Sequence, residues 1–181
     1  MREEIIIRPA GRADLGEINA IFNHYVVHSS CSWTTTPWSE AERKTWYDGH
    51  GEAMPVLVAE RDGRVVGWAA LSSFRAAYTL AGTLEDSVYV HHEFHRQGIG
   101  SALLGELIQA ARGKGHRSIL ANISADQEAS IRLHERFGFE KVAHLHQVGW
   151  KFDRWYDAVY MQLRLRDGSR TIQRPFAGFT N

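Results

Sequence analysis

The sequence predicts a single mixed α/β layer: a mostly antiparallel central sheet flanked by helices, in the order β-α-α-β-β-β-α-β-α-β-β. Three observations predict it. Apolar runs of strand length alternate with stripes of helical period, the pattern of one sheet covered by helices. An Asp-Gly pair joins two of the runs, which makes at least that part of the sheet a hairpin. A chain of 181 residues, 44% hydrophobic and 23% charged, has the composition of one ordinary globular domain.

The first strand is the β-branched run Ile5-Ile6-Ile7-Arg8-Pro9, placed at or near a sheet edge because proline cannot donate to a ladder. From Asp14, a plausible N-cap, the residues Leu15, Ile18, Ile21, Phe22, Tyr25 and Val26 fall on one helical face. Ser39-Glu40-Ala41-Glu42 fits a capping box and starts a short helix to about Tyr47, ended by Gly49 and Gly51. Strands at Val56–Glu60 and Val65–Leu71 flank Asp62-Gly63, a turn that needs positive φ. A third strand follows at Leu84–Val90. After Gly98-Ile99-Gly100 a helical stripe of Leu103, Leu104, Leu107, Ile108 and Ala111 runs to Gly113-Lys114-Gly115. Ser118–Ile123 reads as strand, Glu128–Phe137 as a helix closed by Gly138, Phe139 onward as strand, and Trp155–Leu165 as the last strand. Residues 1–165 are thus the domain, and residues 166–181, without periodicity, a loosely held tail.

Composition narrows the partners. Twenty-one Lys plus Arg balance 21 Asp plus Glu, so no electrostatic footprint for nucleic acid or a membrane surface is present and a small molecule is expected. No signal-peptide core and no run near the roughly 20 apolar residues of a membrane span occur, so a cytoplasmic protein is expected. Cys31 is the single cysteine, which rules out an intramolecular disulfide and a thiolate cage. Among ten histidines, His91, His92 and His95 cluster, and His144 and His146 share a strand face. No acidic third ligand is spaced in sequence to join them, so no metal is expected.

The segment with chemistry follows the strand at 84–90: His95-Arg96-Gln97-Gly98-Ile99-Gly100-Ser101 opens a helix. A glycine-spaced turn at a helix start leaves backbone amides unpaired, and with the positive helix end they form a seat for phosphate oxygens. No Gly-Lys-Ser/Thr follows, and the strand before the turn belongs to a hairpin rather than a βαβ unit, which excludes nucleotide loops of the Walker and dinucleotide kinds.

Val88-Tyr89-Val90, the glycine turn, the strand Ile119–Ile123 and Ala129-Ser130-Ile131-Arg132-Leu133-His134-Glu135-Arg136-Phe137-Gly138-Phe139 together resemble the GNAT superfamily of acyl-CoA-dependent N-acetyltransferases. Leu133-His134-Glu135, Ser87-Val88-Tyr89-Val90 and the late Lys151-Phe152-x-x-Trp155-x-Asp157 resemble its phosphinothricin and methionine sulfoximine N-acetyltransferase group, over about residues 5–165. The resemblance implies acetyl-CoA as cosubstrate. Its pyrophosphate would lie on Arg96, Gln97, Gly98, Gly100 and Ser101, its pantetheine arm along the backbone of Val88, Tyr89 and Val90, with Ser130 as a further contact. The family usually has Gln or Arg where His95 stands, and often Asn where Gln127 stands, so Gln127 is left out.

Glu85 is the expected general base, because an ammonium cannot attack a thioester until its proton is taken. Asp86 points to the other face of the strand and serves as the natural control. His134 stands where many members have a tyrosine that protonates the departing thiolate, and imidazole can donate near pH 7. Backbone amides near Val90 are expected to polarise the thioester carbonyl. For a small polar amino-acid substrate the candidates are Arg75, Tyr78 and Lys151, with Trp33 as a pocket wall. Cys31 is not needed as a nucleophile. The resemblance also implies a homodimer. Two alternatives stay open: another amine as acceptor (protein N-terminus, polyamine or drug), or a CoA-binding sensor that has lost catalysis.

Overall fold

A computed structural model describes residues 4–75, 80 and 82–165. Strands β1 (Ile6–Pro9), β2 (Val56–Arg61), β3 (Arg64–Ser73), β4 (Thr83–Val90), β5 (Ser118–Ser124), β6 (Glu140–Lys151) and β7 (Arg154–Arg164) alternate with helices α1 (Leu15–His28), α2 (Glu40–Asp48), α3 (Ile99–Gly113) and α4 (Glu128–Arg136) in the predicted order. The tail from Arg166 and the candidate Tyr78 lie outside the described residues. One seven-stranded sheet results, in the order β1-β2-β3-β4-β5-β7-β6. Every neighbouring pair is antiparallel except β4 and β5.

Local chemistry accounts for the punctuation. Asp62 (φ 53°) and Gly63 (φ 74°) supply the two left-handed residues of a tight hairpin turn between β2 and β3. At the start of α2 the Glu42 amide donates to Ser39 Oγ (3.3 Å) and the Ser39 amide donates to the Glu42 carboxylate (2.7 Å), closing the predicted box. Asp14 differs from expectation. It stands at the N-cap of α1, but its side chain makes no cap bond. Instead it accepts from the Gly11 amide (2.7 Å) and from both terminal nitrogens of Arg8 (2.8 Å each), and the same guanidinium reaches Glu60. The Arg8 hydrogen bond holds the Asp14 carboxyl below its usual range.

Helices cover both faces of the sheet. Ile18, Ile21, Phe22 and Val26 of α1 pack on Val56, Val58, Trp68 and Ala70. On the opposite face Leu103, Leu104 and Leu107 of α3 pack on Leu57, Ala59, Ala69, Leu71 and Leu84. Strands β2 and β3 are therefore buried on both sides, which explains why they read as near-continuous apolar runs. Gly67 sets the approach of α3 to β3: a Cβ there would lie 3.0 Å from Ile99 Cγ2 and 3.1 Å from both Leu103 Cδ1 and the Tyr89 carbonyl oxygen. Gly67→Ala is expected to destabilise the protein by about 1–3 kcal/mol through overpacking, read as a lower urea midpoint.

Candidate active site

The parallel ladder between β4 and β5 contains only the pairs Thr83–Ser118, Leu84–Ile119 and Glu85–Leu120. Beyond it β4 stays paired with β3 as far as Val90, and β5 stays paired with β7 as far as Ser124. The sheet therefore opens as a V. Asp86, Ser87, Val88 and Tyr89 form one wall of the opening and Ala121, Ile123 and Ser124 the other. Ser130 and His134 of α4 line it as well, as does Gln127, which sequence reasoning set aside. Predicted contacts Val88, Tyr89 and Ser130 are thus gathered in one cleft, where the β4 edge is free to take an added strand.

The end of β4 is clamped to the glycine turn. His95 Nε2 lies 2.6 Å from the Tyr25 hydroxyl, which donates in turn to the Val90 carbonyl (2.5 Å). The turn itself needs two left-handed residues, Arg96 (φ 59°) and Gly98 (φ 85°), before α3 begins. The first-turn amides of α3 have no intrahelical partners. Cations stand beside them: Arg61 donates to Gln97 Oε1 (2.6 Å) and Arg136 donates to Ser101 Oγ (3.2 Å). Gly100 brings α3 close to α4 and β4, since a Cβ there would lie 3.4 Å from Leu133 and 3.6 Å from Val90. A free strand edge leading to a cationic amide nest matches an extended carrier with a phosphorylated end, and the buried Asp86 Oδ1, without a hydrogen-bond partner among the described residues, leaves an acceptor in the cleft.

Strand alternation sends Glu85 and Asp86 to opposite faces, as predicted. Asp86 is nonetheless not an inert control. It is buried on the α4 side, with Oδ2 2.9 Å from His134 Nε2. His134 Nδ1 lies 2.7 Å from the Ser130 carbonyl. A carbonyl and a carboxylate both accept, so with Asp86 ionised both ring nitrogens carry protons and the pair is an imidazolium–carboxylate. Burial opposes the charge on His134, but the charge and hydrogen bond of Asp86, with the Ser130 carbonyl, outweigh it and raise the pKa above the usual histidine value. The sequence reading missed this because the partners stand 48 residues apart. Glu85 is half-buried on the α1–α2 side of β4, the side of Ser87 and Tyr89. No described group hydrogen-bonds it, and burial, then the charge of Asp86, raise its pKa.

A second cavity of about 230 Å³ opens on that side of β4, with Trp33, Trp38, Arg43 and Tyr89 in its lining. Cys31, Ser87 and Tyr89 line both spaces, so the two openings lie against the same stretch of β4. Trp33, the candidate pocket wall, lines this cavity. Arg43, which the sequence reading did not single out, is 1% exposed. Its guanidinium lies 4.5–4.6 Å from the ring centroids of Phe22, Trp38 and Trp46. Nε donates to Asn19 (3.2 Å), Nη2 has no hydrogen-bond partner among the described residues, and burial lowers the pKa to about 10. The signal available in the sequence was an arginine between Trp38 and Trp46. Burial pushes the Cys31 thiol up, away from the reactive thiolate.

Two predicted substrate residues lie elsewhere. Arg75 is exposed, 5.3 Å from the Phe74 ring, and lines neither space. Lys151 is buried, and its ammonium donates to the Ser29 and Ser32 carbonyls at 2.7 Å each. It fastens the loop that carries Cys31 and Trp33 instead of facing the cavity.

The Acetyltransferase (GNAT) family model matches residues 19–139. The chain belongs to the GNAT family. It is 42% identical over 161 residues to an L-methionine sulfoximine/L-methionine sulfone acetyltransferase of Pseudomonas paraeruginosa, covering 88% of this chain and 94% of that one. A phosphinothricin acetyltransferase from Sinorhizobium meliloti, solved in complex with acetyl-CoA, superposes with a TM-score of 0.89 at 35% identity, covering 92% of this chain and 91% of that one. A ribosomal-protein-alanine N-acetyltransferase from Brucella melitensis superposes with a TM-score of 0.86 at 41% identity, covering 88% and 99%. The protein is accordingly an acyltransferase of the GNAT fold that uses acetyl-CoA. No helix among the described residues is long and apolar enough to cross a membrane.

Within this GNAT enzyme the Asp86–His134 pair has a pH signature. The folded pKa of His134 is raised, so the pair's contribution to stability is complete below the unfolded histidine value of about 6.5 and is lost as pH rises through the folded value. Asp86→Ala, which strands a buried charge, is expected to cost about 3 kcal/mol near pH 6. Urea unfolding of both proteins at several pH values should show the gap shrinking on the alkaline side.

Proposed function

We propose that the enzyme acetylates the α-amino group of a small polar amino acid of the methionine sulfoximine, methionine sulfone or phosphinothricin type, by direct transfer in a ternary complex. The observation that carries this reading is that two openings, on opposite faces of β4, share Cys31, Ser87 and Tyr89 in their lining. One suits an extended carrier along the free strand edge, the other a compact amine. Acetyl-CoA supplies the acetyl thioester. Glu85 lines neither opening but stands two residues before Ser87 on the amine side; it accepts the ammonium proton, and its raised pKa makes it a stronger base than an exposed carboxylate. N–H groups of β4 near Val90 polarise the thioester carbonyl. His134 hands its Nε2 proton to the departing thiolate when that nitrogen swings off Asp86.

Arg43 supports an anionic substrate group. A polyamine site would be expected to carry acidic side chains, whereas this cavity holds a buried guanidinium with one terminal nitrogen unpaired among the described residues. The reading is tested by thiol release from acetyl-CoA with the three amino acids, plain amino acids, a polyamine and short alanine-starting peptides. Turnover confined to the first group supports it, and turnover with the peptides instead moves the assignment to protein N-termini. Glu85→Gln is expected to lose about 10²–10⁴-fold in kcat while still binding CoA. In the unaltered enzyme kcat/KM should fall as pH drops through the raised Glu85 pKa, a limb that the variant lacks. Full turnover by Glu85→Gln removes the base assignment, and CoA binding without turnover on any amine favours the sensor.

We further propose a cytoplasmic homodimer built on the β6–β7 hairpin. Val142, Leu145, Val148, Trp150, Phe152 and Trp155 are all 40–56% exposed there, an apolar surface at the sheet edge that a second copy would cover. Trp150 and Trp155 face each other across the strands, with ring centroids 5.3 Å apart. Replacing both by lysine should halve the mass measured by light scattering and leave the circular dichroism unchanged.

A further inference from the structure

We propose that His144, His146 and Asp157 form a binding site for a late first-row divalent cation, with zinc as the reference ion. The sequence puts the two histidines on one strand but offers no acidic partner nearby; the fold supplies it from β7. Leu145 pairs with Ala158 and Gly149 with Tyr156, so His146, Gln147 and Val148 all face the single residue Asp157. This bulge turns on Gln147, whose φ is 52°.

The bulge wraps three donors around one carboxylate. The Gln147 amide donates to Asp157 Oδ1 at 2.9 Å and fixes the carboxylate's orientation. Both imidazoles then converge on the other oxygen: His144 Nε2 lies 2.8 Å and His146 Nδ1 2.9 Å from Oδ2. The rings stack with centroids 4.5 Å apart. The three ligand atoms all lie within 4.8 Å of one another.

A tetrahedral ion bound at about 2.0–2.1 Å separates its ligand atoms by about 3.3 Å, so the two nitrogen–oxygen separations need to widen by only about 0.5 Å. Rotation of exposed rings can provide that, since the His144 and His146 side chains are 39% and 76% accessible. The amide bond to Oδ1 plays the orienting part that outer hydrogen bonds play in known metal sites. Two imidazoles with one carboxylate favour zinc, copper, nickel or cobalt, and disfavour magnesium and calcium, which want oxygen ligands. Three protein ligands leave a fourth position for water. Bound there, the ion would pin β6 to β7 at the bulge, apart from the acetyl-transfer cleft.

The test is calorimetric titration of Zn²⁺ into the chelator-treated full-length enzyme, together with the visible spectrum of the Co²⁺ form. One ion per chain, an intense tetrahedral cobalt spectrum, and at least a tenfold loss of affinity in both His146→Ala and Asp157→Asn are expected. His146 is largely exposed, so its variant keeps the fold, which circular dichroism verifies. His92→Ala is the control for the stacked cluster of His24, His28, His91 and His92, and it should bind zinc as the unaltered enzyme does. Absence of uptake, uptake unchanged in His146→Ala and Asp157→Asn, or uptake lost in His92→Ala alone would each overturn the assignment.

Discussion

The early end of the β4–β5 ladder is the constraint on which the rest of this molecule depends. Two half-sheets, β1-β2-β3-β4 and β5-β7-β6, are joined by three residue pairs and then part. Parting leaves main-chain groups of β4 and β5 without a sheet partner, a costly state for backbone unless something else pairs with them. An added extended ligand would do so, and recognition of that kind rests on backbone and tolerates varied side chains. The fixed features surround this edge. Tyr25 and His95 hold its far end against the glycine turn, and the Asp86–His134 pair stands at the crotch where the strands separate.

Once the strands part, the two-residue period of β4 assigns chemistry to sides. Asp86 and Val88 look toward α3 and α4, where the first cleft lies; Glu85, Ser87 and Tyr89 look toward α1 and α2, where the second cavity opens. Adjacent carboxylates on one strand therefore live in different environments. Asp86 is neutralised by a buried imidazolium, whereas Glu85 is left half-buried with no described partner, and its proton affinity rises. Other enzymes that place two carboxylates in one site set them apart by environment in the same way.

Features governed by local physics were legible in the sequence: the Ser39–Glu42 box, the Asp62-Gly63 turn, the apolar stripe of α3, the amide nest after β4. Each depends on residues within a turn or two of one another. What escaped were polar pairings across the fold. Asp14 looked like a cap because its partner Arg8 lies in a different element. Asp86 looked idle because His134 is 48 residues away, and Lys151 looked like a substrate cation because the carbonyls it serves are 119 and 122 residues away. The pair His144 and His146 lacked an acid only while β7 was unseen. Hydrophobic periodicity says which face a side chain takes, but not which buried polar group meets it there.

Lys151 also explains how a sheet edge far from the chemistry shapes the site. Residues 29–33 line both cavities through Cys31 and the second through Trp33, yet they belong to no helix or strand. Their conformation is imposed from β6, where Lys151 holds two of their carbonyls and Gly149 receives the Trp33 ring so closely that a Cβ would lie 2.1 Å from it. Gly149 and Lys151 follow directly after the bulge around Asp157, so the extra residues of that bulge decide which side chains are presented to the loop. Without the bulge the register of β6 would shift and the glycine would no longer stand under Trp33. The wall of the second cavity is thus set by the geometry of the β6–β7 hairpin, and anything that held that hairpin would act on the cavity through a lysine and a glycine.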